Sequence, residues 1–317
     1  MPSMLDNDLL YIPYAMKTKN SRRDFLKMMA LITAIPALSS FSFPDIPEKP
    51  AALSHRFKLS LNLYSFNQLL RDGVIDLFDV LHFCAQHNFD AIDPTGYYFP
   101  GYPAPPSTAF INEFKREAFL LGLDISGTGV RNDFANPDPA ARKADVEMIR
   151  QWVEVAAKMG APSLRIFSGT NPHDGFSRDQ VFKWMAHDIR TCCDYGKEMG
   201  VIIAIQNHND FIRTAADVDR IFEMVDSDWL GLNLDIGSYR KADPYTEIEQ
   251  NIAKAVTWQI KENVWMDGKE TPTDLCKLFG IIKKAGYRGY LPLETLGAGD
   301  PYQKVPRLLH EARRCMV

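Results

Sequence analysis

The chain has 317 residues, of which 46% are hydrophobic and 24% are charged, and its formal net charge is −4. This length and composition can supply a full buried core, either in one α/β barrel or in two smaller domains. A small negative charge without a basic cluster beyond the N-terminus excludes a nucleic-acid-binding protein and leaves a small molecule as the expected ligand.

The N-terminus has the pattern of a secretory signal. Arg22 and Arg23 precede an apolar run over residues 28–38, which is too short to span a bilayer. The arginine pair resembles that of twin-arginine signals. The alternative, an amphipathic first helix, lacks a polar face. We therefore expect residues 1–43 to be an export signal with its extension, residues 44–56 to be a linker, and the protein to be periplasmic or otherwise exported, meeting the membrane only through the export machinery.

Eight strand-like segments alternate with helix-like segments from residue 57 onwards. The strands are predicted over residues 57–66, 88–94, 123–129, 161–167, 201–206, 230–238, 256–263 and 289–295. The helices are predicted near residues 75–87, 107–121, 136–159, 177–199, 214–225, 244–254, 272–285 and 303–315. Strands separated by helices pair in parallel, and eight such units predict an α/β fold, a single-domain (β/α)8 TIM barrel over residues 57–317. The competing architecture, an open doubly wound sheet, lacks its Gly-x-Gly-x-x-Gly motif.

Capping residues mark several predicted helix ends. Ser177 and Thr214 are expected to be N-caps, and Gly160 and Gly200 to end helices. Asn136 is expected to be another N-cap, with the following proline in the first turn, where its missing N–H does no harm.

The five cysteines, at positions 84, 192, 193, 276 and 315, show no metal-ligand spacing. We interpret them as residues on helix faces and do not expect disulfide bonds.

Polar side chains occur at the carboxyl ends of the last four predicted strands. They are Gln206, Asn207, His208, Asp235, Gln259, Lys261 and Glu294. In a parallel barrel the carboxyl ends of all strands lie at one rim, where active sites are built. We therefore expect Gln206, Asp235, Gln259 and Glu294 to converge on one pocket.

Earlier strands add further candidates for this pocket. Arg165 and Asp93 end predicted strands and are expected either to bind substrate or to neutralise each other. The loop over residues 96–106 is rich in Tyr and Phe, and Trp258 and Trp265 lie near the seventh strand. Aromatic rings at a barrel mouth suit the C–H faces of sugars, so Trp258 joins Arg165, Asp93 and Asn207 as a predicted substrate-binding residue.

At these strand ends the sequence resembles the xylose-isomerase-like barrels grouped as sugar phosphate isomerases and epimerases, which include ketose 3-epimerases, inosose dehydratases and, more distantly, an apurinic endonuclease. The resemblance covers nearly the whole chain after residue 56. The family pattern is an acidic residue followed by Asn-His, then Asp-x-Gly-His, His-x-Lys-Asp and a final Glu. The corresponding positions here are Gln206-Asn207-His208, Asp235-Ile236-Gly237-Ser238, Gln259-Ile260-Lys261-Glu262 and Glu294.

The resemblance implies a divalent cation held by Gln206, Asp235, Gln259 and Glu294, with Mn or Mg as the expected metal and Zn or Co as alternatives. Two of these positions depart from the family, which has Glu and His where this chain has Gln206 and Gln259. An amide oxygen still ligates a hard cation but brings no charge, so a weaker site is expected.

The chemistry implied by the resemblance is removal of a proton next to a carbonyl. Glu294 is the expected base, because burial behind an apolar strand would raise its pKa towards neutral pH. Glu262 is an alternative base only if the strand turns it inward. His208 is a candidate second proton carrier because Gln206 cannot take up a proton. Lys261 would stabilise negative charge on oxygen, unless it forms a structural salt bridge.

These inferences predict a divalent-metal-dependent sugar isomerase or epimerase that acts through an enediolate. Export and the few basic residues at the strand ends favour a non-phosphorylated carbohydrate. A lyase or dehydratase acting on an oxidised sugar or a glycoside is one alternative, and a non-catalytic carbohydrate-binding barrel is another. A homo-oligomer remains open.

Overall fold

The computed structural model of the chain describes residues 57–170 and 175–316. The chain divides between residues 54 and 55 into two units, and the fold below is that of the second. The expected export signal and linker lie outside the described residues, so both stay predictions.

Nine parallel strands form one sheet that closes into a barrel. They are β1 Lys58–Asn62, β2 Ala91–Asp93, β3 Asp124–Ile125, β4 Thr128–Gly129, β5 Ser163–Phe167, β6 Ile202–Gln206, β7 Leu230–Asp235, β8 Ala255–Lys261 and β11 Tyr290–Glu294. β3 and β4 are two halves of the third barrel strand, because β3 pairs with β2 and β4 pairs with β5. β1 pairs with β11, which completes the ring. The nine strands thus occupy eight positions, and the predicted (β/α)8 barrel is confirmed.

Helices follow the strands around the ring. They are α1 Asn67–Arg71, α2 Leu77–Gln86, α3 Thr108–Leu120, α4 Pro139–Met159, α5 Arg178–Met199, α6 Ala215–Val225, α7 Pro244–Asn251, α8 Leu275–Lys284 and α9 Pro301–Cys315. The short helix α1 was not predicted and lies between the predicted first strand and the predicted helix near residue 75. The strand itself ends at Asn62 rather than at residue 66, and the Asn62 side chain accepts a hydrogen bond from the Tyr64 N–H. No helix in the described part of the chain is long and apolar enough to cross a membrane.

The core lies between the strands and the surrounding helices. Alternation along each strand directs large apolar side chains such as Leu232, Leu234 and Ile260 outward, where they are fully buried. The same alternation places small and polar residues such as Ser60 inside the barrel, where its hydroxyl lies 2.7 Å from that of Ser126. A polar interior continues directly into the polar rim at the strand ends.

The predicted caps are confirmed at four helix ends. Ser177 and Thr214 are the N-caps of α5 and α6, and each forms a capping box with the third helical residue. Gly160 and Gly200 end α4 and α5 in the left-handed conformation, with φ of 84° and 73°.

The predicted N-cap at Asn136 is wrong. Helix α4 begins two residues later, with Asp138 as its N-cap and Pro139 in the first turn. Asp138 accepts a hydrogen bond from the Ala140 N–H, and the Asn136 side chain instead accepts one from the Asp138 N–H at 3.0 Å. The chain has two consecutive pairs of a cap-type residue and a proline, and the pattern alone did not identify the pair that starts the helix.

An unpredicted hairpin follows β8. Its strands are β9 Asn263–Met266 and β10 Lys269–Pro272, which pair antiparallel. Asp267 and Gly268 form the turn, with φ of 51° and 73°. Positive φ at both central residues is what a type I′ hairpin turn requires, and Asp-Gly is one of its preferred sequences. This dipeptide was the signal that our sequence analysis overlooked.

A disulfide bond joins Cys276 to Cys315, contrary to our expectation of none. Its cysteines are 39 residues apart in the chain, but their Cα atoms are 4.7 Å apart because α8 and α9 are neighbours. Their spacing resembles no motif, so the pair became visible only in the fold. Cys84, Cys192 and Cys193 are free and buried, as expected for helix-face residues.

Candidate active site

Four of the predicted residues meet at the carboxyl ends of the strands. Gln206 Nε2 donates hydrogen bonds to Asp235 Oδ2 at 2.9 Å and to Gln259 Oε1 at 2.7 Å. Glu294 joins this group through Lys261, whose ammonium lies 3.1 Å from Glu294 Oε2 and 2.7 Å from Asp235 Oδ2. The expected convergence of residues 206, 235, 259 and 294 is therefore present, with Lys261 at its centre.

Asp235 is the most heavily hydrogen-bonded of these residues. Besides Gln206 and Lys261, the Ser238 hydroxyl donates to its Oδ2 at 2.8 Å, and the Gly237 N–H donates to its Oδ1 at 3.0 Å. Burial by itself would raise the pKa of Asp235, but Lys261, His208 and the hydrogen bonds together hold that pKa below its ordinary value. The fully buried carboxylate therefore stays charged at neutral pH.

Asn207 positions Asp235 and does not line the pocket. Its Nδ2 donates to the Asp235 carbonyl at 2.9 Å, and its Oδ1 accepts from the Asp235 N–H at 2.8 Å. Both ends of the amide are thus used by main chain, and the side chain is buried. The role as a substrate-binding residue that we predicted for Asn207 does not fit this placement.

The alternation of side chains along β8 separates residues that the sequence analysis grouped together. Lys261 points into the barrel mouth, so Glu262 points away from it and pairs with Lys304 at 2.9 Å. Trp258 also points away, fully buried, with its ring 5.6 Å from that of Tyr287. The prediction that Trp258 binds substrate at the mouth does not fit, because we did not apply to it the alternation that we applied to Glu262.

The ammonium of Lys261 is enclosed by its partners. Burial would lower the pKa of this amine, but Asp235 and Glu294 beside it hold the pKa above its ordinary value. Lys261 is therefore a permanent positive charge at neutral pH. An ammonium has three N–H donors. Two of them are used by these carboxylates, and the third has no partner among the described residues.

His208 lies on another side of the same cavity. Its Nδ1 is 2.9 Å from Asp210 Oδ2, and its ring meets that of Phe167 edge-on at 4.7 Å between centroids. A carboxylate at Nδ1 orients an imidazole and leaves Nε2 for a substrate. Our sequence analysis missed Asp210, although it stands only two residues after His208 in the same polar stretch.

Arg165 is a buried guanidinium at the cavity wall. Its Nη1 donates to the Tyr97 hydroxyl at 2.8 Å and to the Val130 carbonyl at 3.2 Å. Its Cζ lies 4.4 Å from the centre of the Phe167 ring. A Cβ on Gly129 would lie only 2.7 Å from the guanidinium, so the glycine makes room for it. No described carboxylate forms an ion pair with Arg165, which leaves it able to bind an anionic or hydroxyl group.

Asp93 is close to this group but does not line the cavity. It is buried, and Asn62 Nδ2 donates to its Oδ2 at 2.8 Å. Burial raises the pKa of Asp93 to about 6, against the opposing influence of Arg165 and the Asn62 hydrogen bond. The expected mutual neutralisation of Asp93 and Arg165 is thus only partial, because they interact electrostatically without a direct ion pair.

The cavity that these groups share has a volume of about 350 Å³. It is lined by Tyr64, Tyr97, Arg131, Arg165, Phe167, Gln206, His208, Gln259, Lys261, Glu294, Leu296 and Gly297. A groove of about 570 Å³ adjoins it at Leu296 and Gly297 and extends over the hairpin. Tyr64, Arg131 and Phe167 were not predicted from the sequence, and Tyr97 is the residue of the predicted aromatic loop that lines the cavity.

Comparison with known proteins places this architecture in a family. The model of the xylose isomerase-like TIM barrel family matches residues 81–314. The chain belongs to the xylose isomerase-like TIM barrel family. The resemblance drawn from the sequence motifs is thereby confirmed. None of the curated protein sequences matches this xylose isomerase-like barrel.

Solved structures similar to this barrel include sugar epimerases. The 3-keto-D-glucoside 4-epimerase YcjR of E. coli has a TM-score of 0.66 and 16% identity, covering 82% of this chain and 100% of its own. D-psicose 3-epimerase of Clostridium cellulolyticum H10, solved with D-tagatose, has a TM-score of 0.69 and 15% identity, covering 82% and 99%. The IolI protein with a zinc atom has a TM-score of 0.65 and 17% identity, covering 82% and 96%. Likeness at these identities shows the fold alone.

The donor set of this xylose isomerase-like barrel does not fit a divalent cation. Asp235 already accepts four hydrogen bonds from the protein, three at Oδ2 and one at Oδ1, so Oδ2 has no lone pair left for a metal ion. Gln259 Oε1 accepts from Gln206, and Lys261 lies between the two carboxylates. No three His, Cys, Asp or Glu residues of the described chain form a group able to hold a metal ion.

Proposed function

We propose that this chain is a sugar isomerase or epimerase that removes a proton next to a carbonyl group through an enediolate. The contact of the Glu294 carboxylate with the Lys261 ammonium, 3.1 Å apart at the wall of the cavity, carries the proposal. Proton abstraction from carbon needs a base and, within reach of it, a positive group for the oxygen that becomes charged. The similarity to known sugar epimerases supports the same reaction class.

In this mechanism Glu294 takes the proton from the carbon next to the carbonyl. The third N–H of Lys261 donates to the carbonyl oxygen and stabilises the negative charge that develops there. His208, oriented by Asp210, returns a proton on the other side of the enediolate. Return to the same carbon gives an epimer, and return to the neighbouring carbon gives an isomer. Gln206 Oε1, buried without a described partner, accepts a hydrogen bond from a sugar hydroxyl.

We propose a non-phosphorylated carbohydrate as substrate. A cavity of about 350 Å³ is within the range for small-molecule sites, and the rings of Tyr64, Tyr97 and Phe167 suit the C–H face of a sugar. The adjoining groove has room for a further group, as in a glycoside. Export, which the signal pattern predicts, supports a substrate without phosphate.

The Cys276–Cys315 disulfide supports the proposed location outside the cytoplasm. Disulfides form and persist in oxidising compartments and are rare in the cytosol of most organisms. The bond is a feature of the fold and the signal is a pattern of the sequence, and both favour an exported protein.

Metal dependence is not retained in this proposal. The zinc atom of the IolI protein belongs to a chain of 17% identity, and the residues present here do not fit a divalent cation. No step of the proposed reaction therefore runs through a metal ion.

A lyase acting on an oxidised sugar is the second candidate, and the arginines of the cavity favour it. Arg165 lacks a carboxylate partner among the described residues, and the exposed Arg131 reaches the same Phe167 ring, with its Cζ 5.2 Å from the ring centre. Guanidinium groups recognise carboxylates through paired hydrogen bonds. A lyase begins with the same proton abstraction by Glu294 but expels a substituent from the next carbon.

Incubation with free ketoses, keto-glucosides and uronates in deuterated water, followed by NMR, tests these alternatives. We expect exchange of one carbon-bound proton and an isomeric product. An unsaturated product identifies a lyase, and binding without exchange identifies a carbohydrate-binding barrel.

Glu294→Gln should lower kcat by about 10²–10⁴-fold. Glu154→Gln is the matched control, because this glutamate lies on the surface of α4, where it pairs with Lys158, and lines neither the cavity nor the groove. Full activity of Glu294→Gln would remove the proposed base.

A further inference from the structure

We propose that Lys261 is a built-in cation: its ammonium group occupies the place between Asp235 and Glu294 that a divalent metal ion would need, so the site works without metal. The inference concerns how the cluster is charged, and it goes beyond the reaction proposed above.

Lys261 lies directly between the two carboxylates. Its Nζ lies 2.7 Å from Asp235 Oδ2 and 3.1 Å from Glu294 Oε2, and the three side chains are 11%, 0% and 5% exposed, respectively. The carboxylates of Asp235 and Glu294 end β7 and β11, the two strands that flank β8, and one ammonium group on β8 joins them. A metal ion between the same oxygens would have to displace the ammonium and leave it buried without a partner, which is costly.

The charge of the cluster also disfavours a divalent cation. Gln206 and Gln259 are neutral amides, so the cluster contains two negative charges and one positive charge. A divalent cation added to it would face the ammonium at close range, and like charges in a buried site repel strongly. Substitution of the ammonium by a metal would in turn offer that metal only two carboxylates, one of which would still accept hydrogen bonds from Gln206, Gly237 and Ser238.

The backbone beside Lys261 has a glycine, Gly237, where a side chain would collide with the lysine. Gly237 lies beside the aliphatic stem of Lys261, and a Cβ at this position would be 2.8 Å from Lys261 Cδ. Any larger residue at position 237 would push the stem out of its path. The same glycine donates its N–H to Asp235 Oδ1, so one backbone position both admits the lysine and holds its partner.

The Gln206 amide directs its nitrogen, and not its oxygen, at the other residues of the cluster. Its Nε2 is directed at Asp235 Oδ2 and at Gln259 Oε1, which gives the cluster a second donor group. Ligation of a cation would require the oxygen of Gln206 in that place, and Gln259 would then lose its partner. Donors from Lys261 and Gln206 thus already occupy Asp235 Oδ2, Gln259 Oε1 and Glu294 Oε2.

In the proposed reaction, Lys261 therefore acts as the electrophile through a hydrogen bond rather than through coordination. A metal ion holds a carbonyl oxygen by coordination, whereas Lys261 holds it by the third N–H of its ammonium. The group supplies one positive charge, fixed in place by two buried carboxylates, and needs no loading from solution.

The test measures metal binding directly on the full chain. Protein purified without chelator should contain no stoichiometric Mn, Mg, Zn or Co by elemental analysis, and titration with Mn²⁺ by calorimetry should show no saturable heat at millimolar concentration. Stoichiometric metal or saturable Mn²⁺ binding in the wild type would overturn the proposal. These measurements need no turnover, so they stand or fall independently of the proposed reaction.

A double variant gives the converse test. Lys261→Met with Gln206→Glu removes the ammonium and leaves three carboxylates at the rim, so Mn²⁺ should bind on the order of a hundredfold more tightly than to the wild type. Lys284→Met with Gln206→Glu is the matched control, because Lys284 is exposed and far from the cluster along α8; it should not acquire this affinity. Equal Mn²⁺ affinity of the two double variants, each folded by circular dichroism, would contradict the role of Lys261.

Discussion

Asn207 holds the main chain of Asp235 by two hydrogen bonds that run in opposite directions. The Asn207 amide donates to the Asp235 carbonyl at 2.9 Å and accepts from the Asp235 N–H at 2.8 Å. Neighbouring strands β6 and β7 are thereby locked at the height of the cluster. Because Asp235 in turn binds Lys261, this clamp fixes the position of the ammonium.

Asn207→Ala should therefore reduce both stability and turnover. The Asp235 N–H would lose its partner, and the Asp235 carbonyl would keep only the longer bond from the Ser238 N–H, at a cost of about 1–3 kcal/mol in the free energy of unfolding. Urea denaturation measures this cost. Gln151→Ala, which removes an exposed amide on α4, should change stability by no more than about 0.5 kcal/mol. Equal effects of the two substitutions would show that the clamp contributes nothing.

Asp93 should make stability depend on pH in the acid range. Its pKa is about 6 in the folded protein against an ordinary value of 3.8, so the folded state binds more protons than the unfolded state between these values. The contribution of Asp93 to the free energy of unfolding is therefore lost as the pH rises from about 4 to 6. Asp93→Asn, which stays neutral, should gain stability relative to the wild type over this range, by on the order of 2–3 kcal/mol.

Urea denaturation at pH 4.5 and pH 7 tests this sign. Asp267→Asn is the control, since Asp267 is exposed in the hairpin turn, and its difference from the wild type should be the same at both pH values. A difference between Asp93→Asn and the wild type that does not change with pH would contradict the raised pKa.

Gly129→Ala should displace Arg165. The added methyl group would lie 2.7 Å from the guanidinium, which is held by Tyr97 and the Val130 carbonyl and cannot move without losing these bonds. We expect a loss of about 1–3 kcal/mol in stability and a higher KM. Gly280→Ala is the matched control, because its Cβ would meet open space in the middle of α8 and should stabilise that helix by up to about 1 kcal/mol. An unchanged KM for Gly129→Ala would exclude Arg165 from substrate binding.

Loss of the disulfide should destabilise the barrel. The bond closes a loop of 39 residues, and its removal in Cys276→Ser/Cys315→Ser should cost about 2–4 kcal/mol through the greater freedom of the unfolded chain. Denaturation with and without reductant checks this, because reductant should lower the midpoint of the wild type and leave that of the variant unchanged. A wild type that is insensitive to reductant when unfolded would indicate that the thiols are not paired.

One sequence pattern allowed both the barrel architecture and the cluster of polar residues at its rim to be predicted. Short apolar strands that end in polar residues identify buried parallel strands and also the end at which their side chains collect. Gln206, Asp235, Gln259 and Glu294 were found in this way, at strand ends spread over 89 positions, from 206 to 294. Caps such as Ser177 and Thr214 were also recognisable, because a cap acts within a few residues of its own helix.

What the sequence did not reveal depends on contacts across the barrel. The placement of Lys261 between Asp235 and Glu294, the Asn207 clamp and the Cys276–Cys315 bond each join residues that no local pattern connects. Trp258 shows a different kind of error. Its outward direction followed from strand alternation, and the prediction failed because aromatic residues near a mouth were counted without regard to the face on which they lie.

The hydrogen bonds accepted by Asp235 have a consequence for how the substrate preference of the proposed enzyme can change. These four hydrogen bonds are all made before any ligand arrives, so the inner wall of the cavity is preorganised and pays no reorganisation cost on binding. In the sugar isomerase or epimerase proposed above, mutations there are expected to impair every substrate. Adaptation to a new sugar is expected instead at the outer lining, at Tyr64, Arg131 and Leu296, where side chains can be exchanged without disturbing Asp235.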